Sequence, residues 1–167
     1  MPLEGKRQGF DPAFFVYLQT RNVNLKRGLV AAVAMIAQGA FAQLPTMELA
    51  AGVHLIRAEV AYTFEARAQG LMFRKHLASN QGMLFAFPQT ERHCMWMKNT
   101  LIPLSVAFAD EKGRIVSISE MQPQTETTHC AARPAKFALE MGTGWFAARG
   151  IKPGSSLRGL EKAPAAR

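Results

Sequence analysis

The chain has 167 residues, of which 49% are hydrophobic, with 20 lysines and arginines against 12 acidic residues and only two cysteines. Its formal net charge of +8 is scattered along the chain, and no basic run interleaves with aromatic residues, which argues against a nucleic-acid-binding protein. Once a leader is set aside, the remaining length fits one domain with a single core.

The first 42 residues have the features of an export signal. Lys26 and Arg27 precede an apolar run at 28–37, and Ala40–Ala42 then supplies the small residues that signal peptidase requires. The run is too short to span a bilayer core of about 30 Å, and it lacks the polar stripe of an amphipathic core helix. We therefore expect cleavage after Ala42 and a periplasmic or secreted mature protein.

The segment before the signal is long for its type, and a translation start near Val23 would give a signal of ordinary length. Residues 1–42 hold five basic and two acidic residues, which leaves 15 and 10, a net charge of +5, for the mature chain. The cleavage site has no cysteine, so we expect no lipoprotein anchor and no stable membrane anchor after cleavage.

Short strands separated by turns follow in the mature part. Residues 54–62 alternate between apolar and polar, which predicts a half-buried strand. Thr63 is placed to cap a helix that runs to about Phe73, although Gly70 weakens it. Apolar runs predict further strands at 82–87 (stopped by Pro88), 94–97, 101–108, 135–140 and 156–160.

Turn signals complete the pattern. Residues 110–113, Asp-Glu-Lys-Gly between two apolar runs, predict a β-hairpin. Thr143 begins a second short helix that Gly150 closes. The whole predicts a mainly β, compact sandwich or barrel-like domain with two short helices over residues 43–160, followed by a flexible tail at 161–167.

The two cysteines, Cys94 and Cys130, favour one disulfide in an oxidising compartment. They lie 36 positions apart, and closing such a loop contributes about 3–4 kcal/mol in the chain-entropy model. Each follows a histidine, His93 and His129, which raises a zinc alternative. Adjacent strand residues point to opposite faces and the spacing matches no zinc finger, so the disulfide is the preferred interpretation.

A second metal hypothesis rests on His93, Met95 and Met97, which share one face if this segment is a strand. Imidazole and thioether are soft ligands suited to Cu(I). Against this, methionines most often fill cores, and no second His-Met cluster supports copper. We therefore predict no metal and no other cofactor, with copper handling as an alternative function.

Lys98, Asn99 and Thr100 lie between two apolar runs, and Trp96 belongs to the first of them. The interruption is explained either by a corner at which the chain changes direction or by a polar ligand site beside the tryptophan. The corner is the more common structure. The ligand site is the more informative hypothesis, because it predicts a function.

Two charged residues next to apolar segments, Arg74 and Glu140, are further candidates for that site and for a buried ion pair with each other. Glu120, Glu126 and Glu140 are candidate carboxylates for an envelope-acting hydrolase. No Gly-x-Ser-x-Gly, His-Glu-x-x-His or phosphate-binding glycine motif is present. An enzyme is therefore the weaker interpretation.

Several of these segments together resemble a bacterial and archaeal family, domain-of-unknown-function family 192. The resemblance covers about residues 46–160, in this order: Gly70-Leu71-Met72-Phe73-Arg74, Gly82-Met83-Leu84-Phe85, Trp96-Met97-Lys98-Asn99-Thr100, Pro103-Leu104, Leu139-Glu140 and Gly150-Ile151-Lys152-Pro153-Gly154. It implies a compact, mostly β domain, often exported, with no established activity, cofactor or catalytic residue. Ser105 and Ser155 stand where the family usually has aspartate.

The function most consistent with these observations is a soluble periplasmic binding or accessory module. Its partner is an unidentified small molecule or envelope component, and the site residues are Arg74, Trp96, Lys98, Asn99, Thr100 and Glu140.

Overall fold

The computed structural model describes residues 43–167, so the predicted signal and upstream leader, residues 1–42, lie outside it. Nine strands, one α-helix and two short 3-10 helices make up this part of the chain. The strands are β1 (Thr46–Ala51), β2 (His54–Ala61), β3 (Gln81–Glu91), β4 (Cys94–Met95), β5 (Leu104–Ala109), β6 (Ile115–Met121), β7 (His129–Cys130), β8 (Ala135–Gly142) and β9 (Leu157–Arg158); the helices are α1 (Phe64–Gln69) and the 3-10 helices Ala147–Arg149 and Leu160–Lys162.

Seven strands form one curled sheet in the order β6-β5-β8-β3-β2-β1-β9, and β4 pairs with β7 separately. Neighbours are antiparallel except β2 and β3, which are parallel because α1 carries the chain across between them. The Ile115 amide donates to the Ser155 carbonyl and the Leu157 amide to the Gly113 carbonyl, which joins the edges of β6 and β9 at one end. The mainly β, barrel-like prediction is therefore confirmed.

The sheet has an apolar core on each of its two faces. The inner core lies inside the curl and includes Leu49, Ile56, Leu84, Leu139 and Phe146. The outer core lies on the convex face and includes Met83, Phe85, Val106, Phe108 and Met97. Strands buried on both faces read as continuous apolar runs, as in LSVAFA of β5, whose six residues are all buried.

Local signals in the sequence are matched by local structure at two sites. The Thr63 hydroxyl accepts the Ala66 amide and so caps α1, as predicted. Gly113 has φ +76° and its amide donates to the Asp110 carbonyl, closing the predicted hairpin between β5 and β6.

Several predicted boundaries are wrong. The first helix ends at Gln69 rather than near Phe73, because Gly70 (φ +49°) leaves the helical conformation. Pro88 does not stop β3, which runs to Glu91; the proline lies within a register shift between Ala86 and Glu91, where no ladder bond is lost.

Three further boundary errors concern the second helix and the strands β4 and β5. The helix predicted from Thr143 is a turn followed by the 3-10 helix Ala147–Arg149, although Gly150 ends it in the left-handed conformation as expected. The strand predicted at 94–97 stops at Met95, and β5 begins at Leu104 rather than 101.

The last residues fold back on the domain. The Arg167 amide donates to the Tyr62 carbonyl at 2.9 Å, and its guanidinium lies 5.4 Å from the Tyr62 ring centroid. The predicted flexibility of residues 161–167 stays a prediction. Among residues 43–167, no helix combines the length and the apolar character that crossing a membrane requires.

Candidate functional site

Two loops on the outer face are tied together by backbone atoms. The Phe73 amide donates to the Asn99 carbonyl at 2.9 Å, and the Asn99 side-chain amide lies 3.9 Å from the Met72 sulfur. Phe73 (φ +63°) and Asn99 (φ +59°) both have left-handed backbone conformations. For a bulky residue such as phenylalanine this conformation costs about 1–3 kcal/mol, and such strain is concentrated at functional sites.

The polar interruption at 98–100 forms a turn. The Thr100 amide donates to the Met97 carbonyl, and the Thr100 carbonyl accepts the Gln124 amide, so this threonine is buried and serves the backbone. Lys98 and Asn99 are exposed. The corner interpretation therefore explains Thr100, while Lys98 and Asn99 remain accessible for binding.

Trp96 is one of the exposed large apolar side chains of the domain. The Lys98 ammonium lies 5.4 Å from the centroid of its ring and 3.4 Å from Glu126. The three side chains form a charged, aromatic surface next to the turn. Exposed pairs of this kind contribute little to stability.

Arg74, directly after the strained Phe73, forms an ion pair with Glu59 of β2. One guanidinium nitrogen, Nη2, donates to both carboxylate oxygens, at 2.6 and 2.9 Å. The predicted buried pair between Arg74 and Glu140 is therefore wrong, because Arg74 pairs with Glu59 instead. Strand β3 lies between β2, which carries Glu59, and β8, which carries Glu140.

The Arg74–Glu59 pair lies in an open groove of about 770 Å³ between α1 and the outer faces of β1, β2 and β3. Nine of its lining residues are polar or charged: Gln43, Thr46, Arg57, Glu59, Thr63, Glu65, Gln69, Arg74 and Gln81. Two exposed aromatic residues, Phe64 and Phe73, adjoin lining residues in the chain. Within the part of the chain that the structure describes, the groove therefore offers hydrogen-bonding groups from several elements to a polar ligand.

Glu140 lies next to the floor of this groove rather than in it. Strand pairing places Glu59 opposite Met83, and Met83 opposite Glu140, in one row across the outer face. Met83 lines the groove, whereas Glu140 is only 3% exposed and forms no hydrogen bond or ion pair with another described residue. Burial raises its pKa to about 8, so the carboxyl is mostly protonated at neutral pH.

A second acidic residue, Glu120 of β6, has the opposite environment. Its carboxylate accepts hydrogen bonds from the Ser105 hydroxyl (2.6 and 2.7 Å), the Thr143 hydroxyl (2.8 Å) and the Gly144 amide (3.1 Å). Burial alone, the largest single contribution, would raise its pKa, but these donors together outweigh it and lower the pKa.

Ser105 is fully buried, and its hydroxyl oxygen also accepts the Gly144 amide at 2.8 Å. The hydroxyl therefore joins β5, β6 and the turn after β8. Sequence reasoning singled out Ser105 only as a departure from the family pattern. The signal available was a hydroxyl inside an otherwise apolar six-residue strand, which needs a partner when buried.

The residues of the copper alternative are used elsewhere. Met97 is fully buried in the outer core and Met95 packs against it. The His93 ring stacks on Phe87 with centroids 3.7 Å apart, and its Nε2 bonds to the Gln89 carbonyl at 2.9 Å. Within residues 43–167 no cluster of three or more histidine, cysteine, aspartate or glutamate side chains is arranged to hold a metal ion.

The predicted disulfide between Cys94 and Cys130 is present, and it joins the paired strands β4 and β7. The loop between them includes β5 and β6, so the bond fastens this short ribbon beside the main sheet.

The comparisons with known proteins agree with the sequence resemblance. The family model for DUF192, described as "Uncharacterized ACR", matches residues 46–159. A solved Novosphingobium aromaticivorans protein of unknown function is 34% identical, with a TM-score of 0.68, over 71% of this chain and 89% of that one. A solved protein of Sinorhizobium meliloti, described as a proposed transcription regulator, is also 34% identical, with a TM-score of 0.63, over 66% of this chain and 89% of that one. No curated protein matches the chain.

Proposed function

The chain belongs to the DUF192 family, and we propose that it is an exported binding or accessory module whose ligand occupies the groove beside Arg74. The observation that carries the proposal is the Arg74–Glu59 pair, held in an open groove rich in polar side chains by a loop with a strained backbone. The module contributes recognition of an envelope component rather than a chemical step.

The chemistry of the groove favours a neutral or zwitterionic polar ligand. Its charged lining residues balance, with Arg57 and Arg74 against Glu59 and Glu65. Glu59 contacts only one nitrogen of Arg74, so the Nε and Nη1 donors of that guanidinium remain for a ligand. Fragments of cell-wall glycan with their stem peptides carry the hydroxyl, amide and carboxylate groups that such a surface can bind.

Export is supported by the signal-like leader and by the disulfide, since disulfides persist mainly in oxidising compartments. Cleavage after Ala42 would make Gln43 the amino terminus. Because Gln43 and Leu44 line the groove, processing would also set one boundary of the ligand site. Intact mass of the protein from periplasm tests this: a chain beginning at Gln43 and two hydrogens light supports it, and a retained leader argues against it.

The envelope-hydrolase alternative ranks below binding, because hydrolysis needs a carboxyl with a raised pKa facing the substrate. Within the groove, hydrogen bonds from its own backbone and from Thr63 lower the pKa of Glu65, and Glu59 is paired with Arg74. The carboxyl with a raised pKa, Glu140, does not line the groove. The copper alternative ranks lower still, since Met97 belongs to the core.

Isothermal titration calorimetry with soluble cell-wall glycopeptide fragments tests the binding proposal. We expect R74Q to weaken binding about tenfold or more, through loss of charge-assisted hydrogen bonds. R133Q removes an equal charge from an exposed position outside the groove and serves as the control. Equal affinities for both variants, or no binding by the unaltered protein, would overturn the proposal.

A further inference from the structure

A second pocket lies away from the groove and shares none of its lining residues. It is an open depression of about 580 Å³ between the β1–β2 turn and the segment from Arg149 to Arg158. Its walls are formed by Ala51, Gly52, Val53, His54, Arg149, Gly150, Ile151, Ser155, Ser156 and Arg158.

The charged side chains that line this pocket are positive. Arg149 and Arg158 line it, and no acidic residue among residues 43–167 does. The sequence from 141 to 160 adds Lys152 and contains neither aspartate nor glutamate. The first groove, by contrast, balances two arginines with two glutamates. A pocket with two guanidinium groups and no carboxylate is complementary to an anion.

Both arginines are held in place by the fold. The Arg149 guanidinium lies 4.4 Å from the Trp145 ring centroid, and its Nη1 donates to the Trp145 carbonyl at 3.2 Å. The Arg158 Nη2 donates to the Gly52 carbonyl at 2.6 Å. Each guanidinium keeps further donors that no described residue uses, and these suit the oxygens of a phosphate group.

Two exposed apolar residues lie at this pocket or next to it in the chain: Val53 lines the pocket, and Leu55 follows the lining residue His54. A site for a free inorganic anion does not require them. Val53, at the tip of the β1–β2 turn, is 90% exposed, and Leu55 is 67% exposed. Positive charge beside projecting apolar side chains is the arrangement by which peripheral proteins contact anionic bilayers.

We propose that this pocket binds the phosphate of an anionic phospholipid, with Arg149 and Arg158 on the phosphate and Val53 and Leu55 against the acyl chains. The contact would hold the module reversibly on the membrane face. It is independent of the groove and of what the groove binds.

The test uses residues 43–167, which contain every described strand pair and both cores. In the solved relatives the matched region makes up 89% of the chain, so it is the folded unit in those proteins. A dispersed amide NMR spectrum of residues 43–167 checks the same for this chain before the titration. Amide NMR shifts are followed during titration with short-chain phosphatidylglycerol below its micelle concentration, and separately with glycerol phosphate. We expect shifts at residues 52–55 and 149–158, and binding of the lipid at least tenfold tighter than of glycerol phosphate.

Two double variants test the contact with the phosphate and the contact with the acyl chains separately. R149Q/R158Q should weaken binding of the lipid about tenfold or more. V53S/L55S should weaken binding of the lipid and leave that of glycerol phosphate unchanged. R133Q/K75Q removes two charges from exposed positions elsewhere and should change neither. R158Q alone, at an exposed position, is the second variant if the Arg149 change disturbs the packing against Trp145.

Two results would overturn the proposal. Equal loss of binding in R133Q/K75Q would show attraction to net charge only, and equal affinity for glycerol phosphate and lipid would show a site for soluble phosphate esters.

Discussion

Glu120 and Glu140 lie on the two strands that flank β5, yet their environments are opposite. Glu120 accepts hydrogen bonds from Ser105, Thr143 and Gly144, and its pKa is lowered. Glu140 is packed in the row of Met83 and Val106 without a described partner, and burial raises its pKa to about 8. The state of each acid is thus decided by the donors around it rather than by strand position.

The two carboxylates therefore differ in their effect on folding: the charged form is stabilised by hydrogen bonds at Glu120 and disfavoured by burial at Glu140. Glu120 joins three segments of the sheet, so folding explains it. Burial makes ionisation of Glu140 unfavourable in the folded state, and the residue lies one position from the groove floor in the same row. A buried carboxyl with a raised pKa beside an open groove is a candidate functional group, and this agrees with the ligand site proposed there.

The largest expected effect concerns Glu140 and pH. Because its folded pKa is raised from 4.5 to about 8, the unfolded chain releases this proton first as pH rises. The protein should therefore lose roughly 4 kcal/mol of unfolding free energy between pH 5 and pH 8, relative to E140Q. Urea denaturation of both proteins at the two pH values measures the difference.

E140Q keeps the shape of the side chain and removes its titration, so it should be the more stable protein at pH 8. Parallel pH profiles for the two proteins would show that Glu140 ionises normally, and the contrast with Glu120 would disappear.

The disulfide provides the next largest effect. Removing it in C94S/C130S should lower the unfolding free energy by about 3–4 kcal/mol, because the unfolded chain regains the entropy of a 36-residue loop. Met95, on the ribbon that the bond fastens, packs against the outer core, so we also expect water to enter that core and the pKa of Glu140 to fall toward its ordinary range. Denaturation at several pH values measures both; an unchanged pH slope would show that the ribbon does not shield Glu140.

A smaller effect is expected at the partnered acid. S105A removes the hydroxyl that donates to Glu120 and accepts the Gly144 amide, which should cost about 1–2 kcal/mol at pH 7. Since the pKa of Glu120 is lowered, its contribution is complete above the unfolded pKa near 4.5 and is lost as pH falls through the folded value. S105A should therefore lose less stability on acidification than the unaltered protein. Denaturation at pH 3 and pH 7 tests this, and equal acid losses would contradict it.

Local signals made much of the fold predictable from sequence. The alternation at 54–62, the Thr63 cap and the Asp110–Gly113 turn all depend on neighbouring residues, and each corresponds to the structure. The disulfide was predictable because only two cysteines were present. The passage of β3 through Pro88 was missed because its partner β8 is distant in the chain. Strand β1 was missed although β2 follows it directly across the Gly52-Val53 turn, since glutamate and alanine are weak strand formers.

The candidate site was predictable only in part. Arg74 and the Lys98–Asn99 turn stood out as polar residues among apolar runs, and the structure brings their two loops together. The pairing of Arg74 with Glu59 was not visible, because strand order decides which carboxylate is near. The environments of Glu120 and Glu140 were equally hidden, since both residues end apolar stretches and only their three-dimensional neighbours differ.

The smallest stability effect is expected at the groove, where it separates binding from folding. Arg74 and Glu59 keep 43% and 28% of their side-chain surfaces exposed, so R74Q should lower the unfolding free energy by only about 0.5 kcal/mol. Thermal unfolding of R74Q and E59Q measures this. A loss of several kcal/mol in either variant would make the pair a structural element like the Glu120 cluster. A small loss of unfolding free energy together with weakened binding would show that the Arg74–Glu59 pair serves the ligand site rather than the fold.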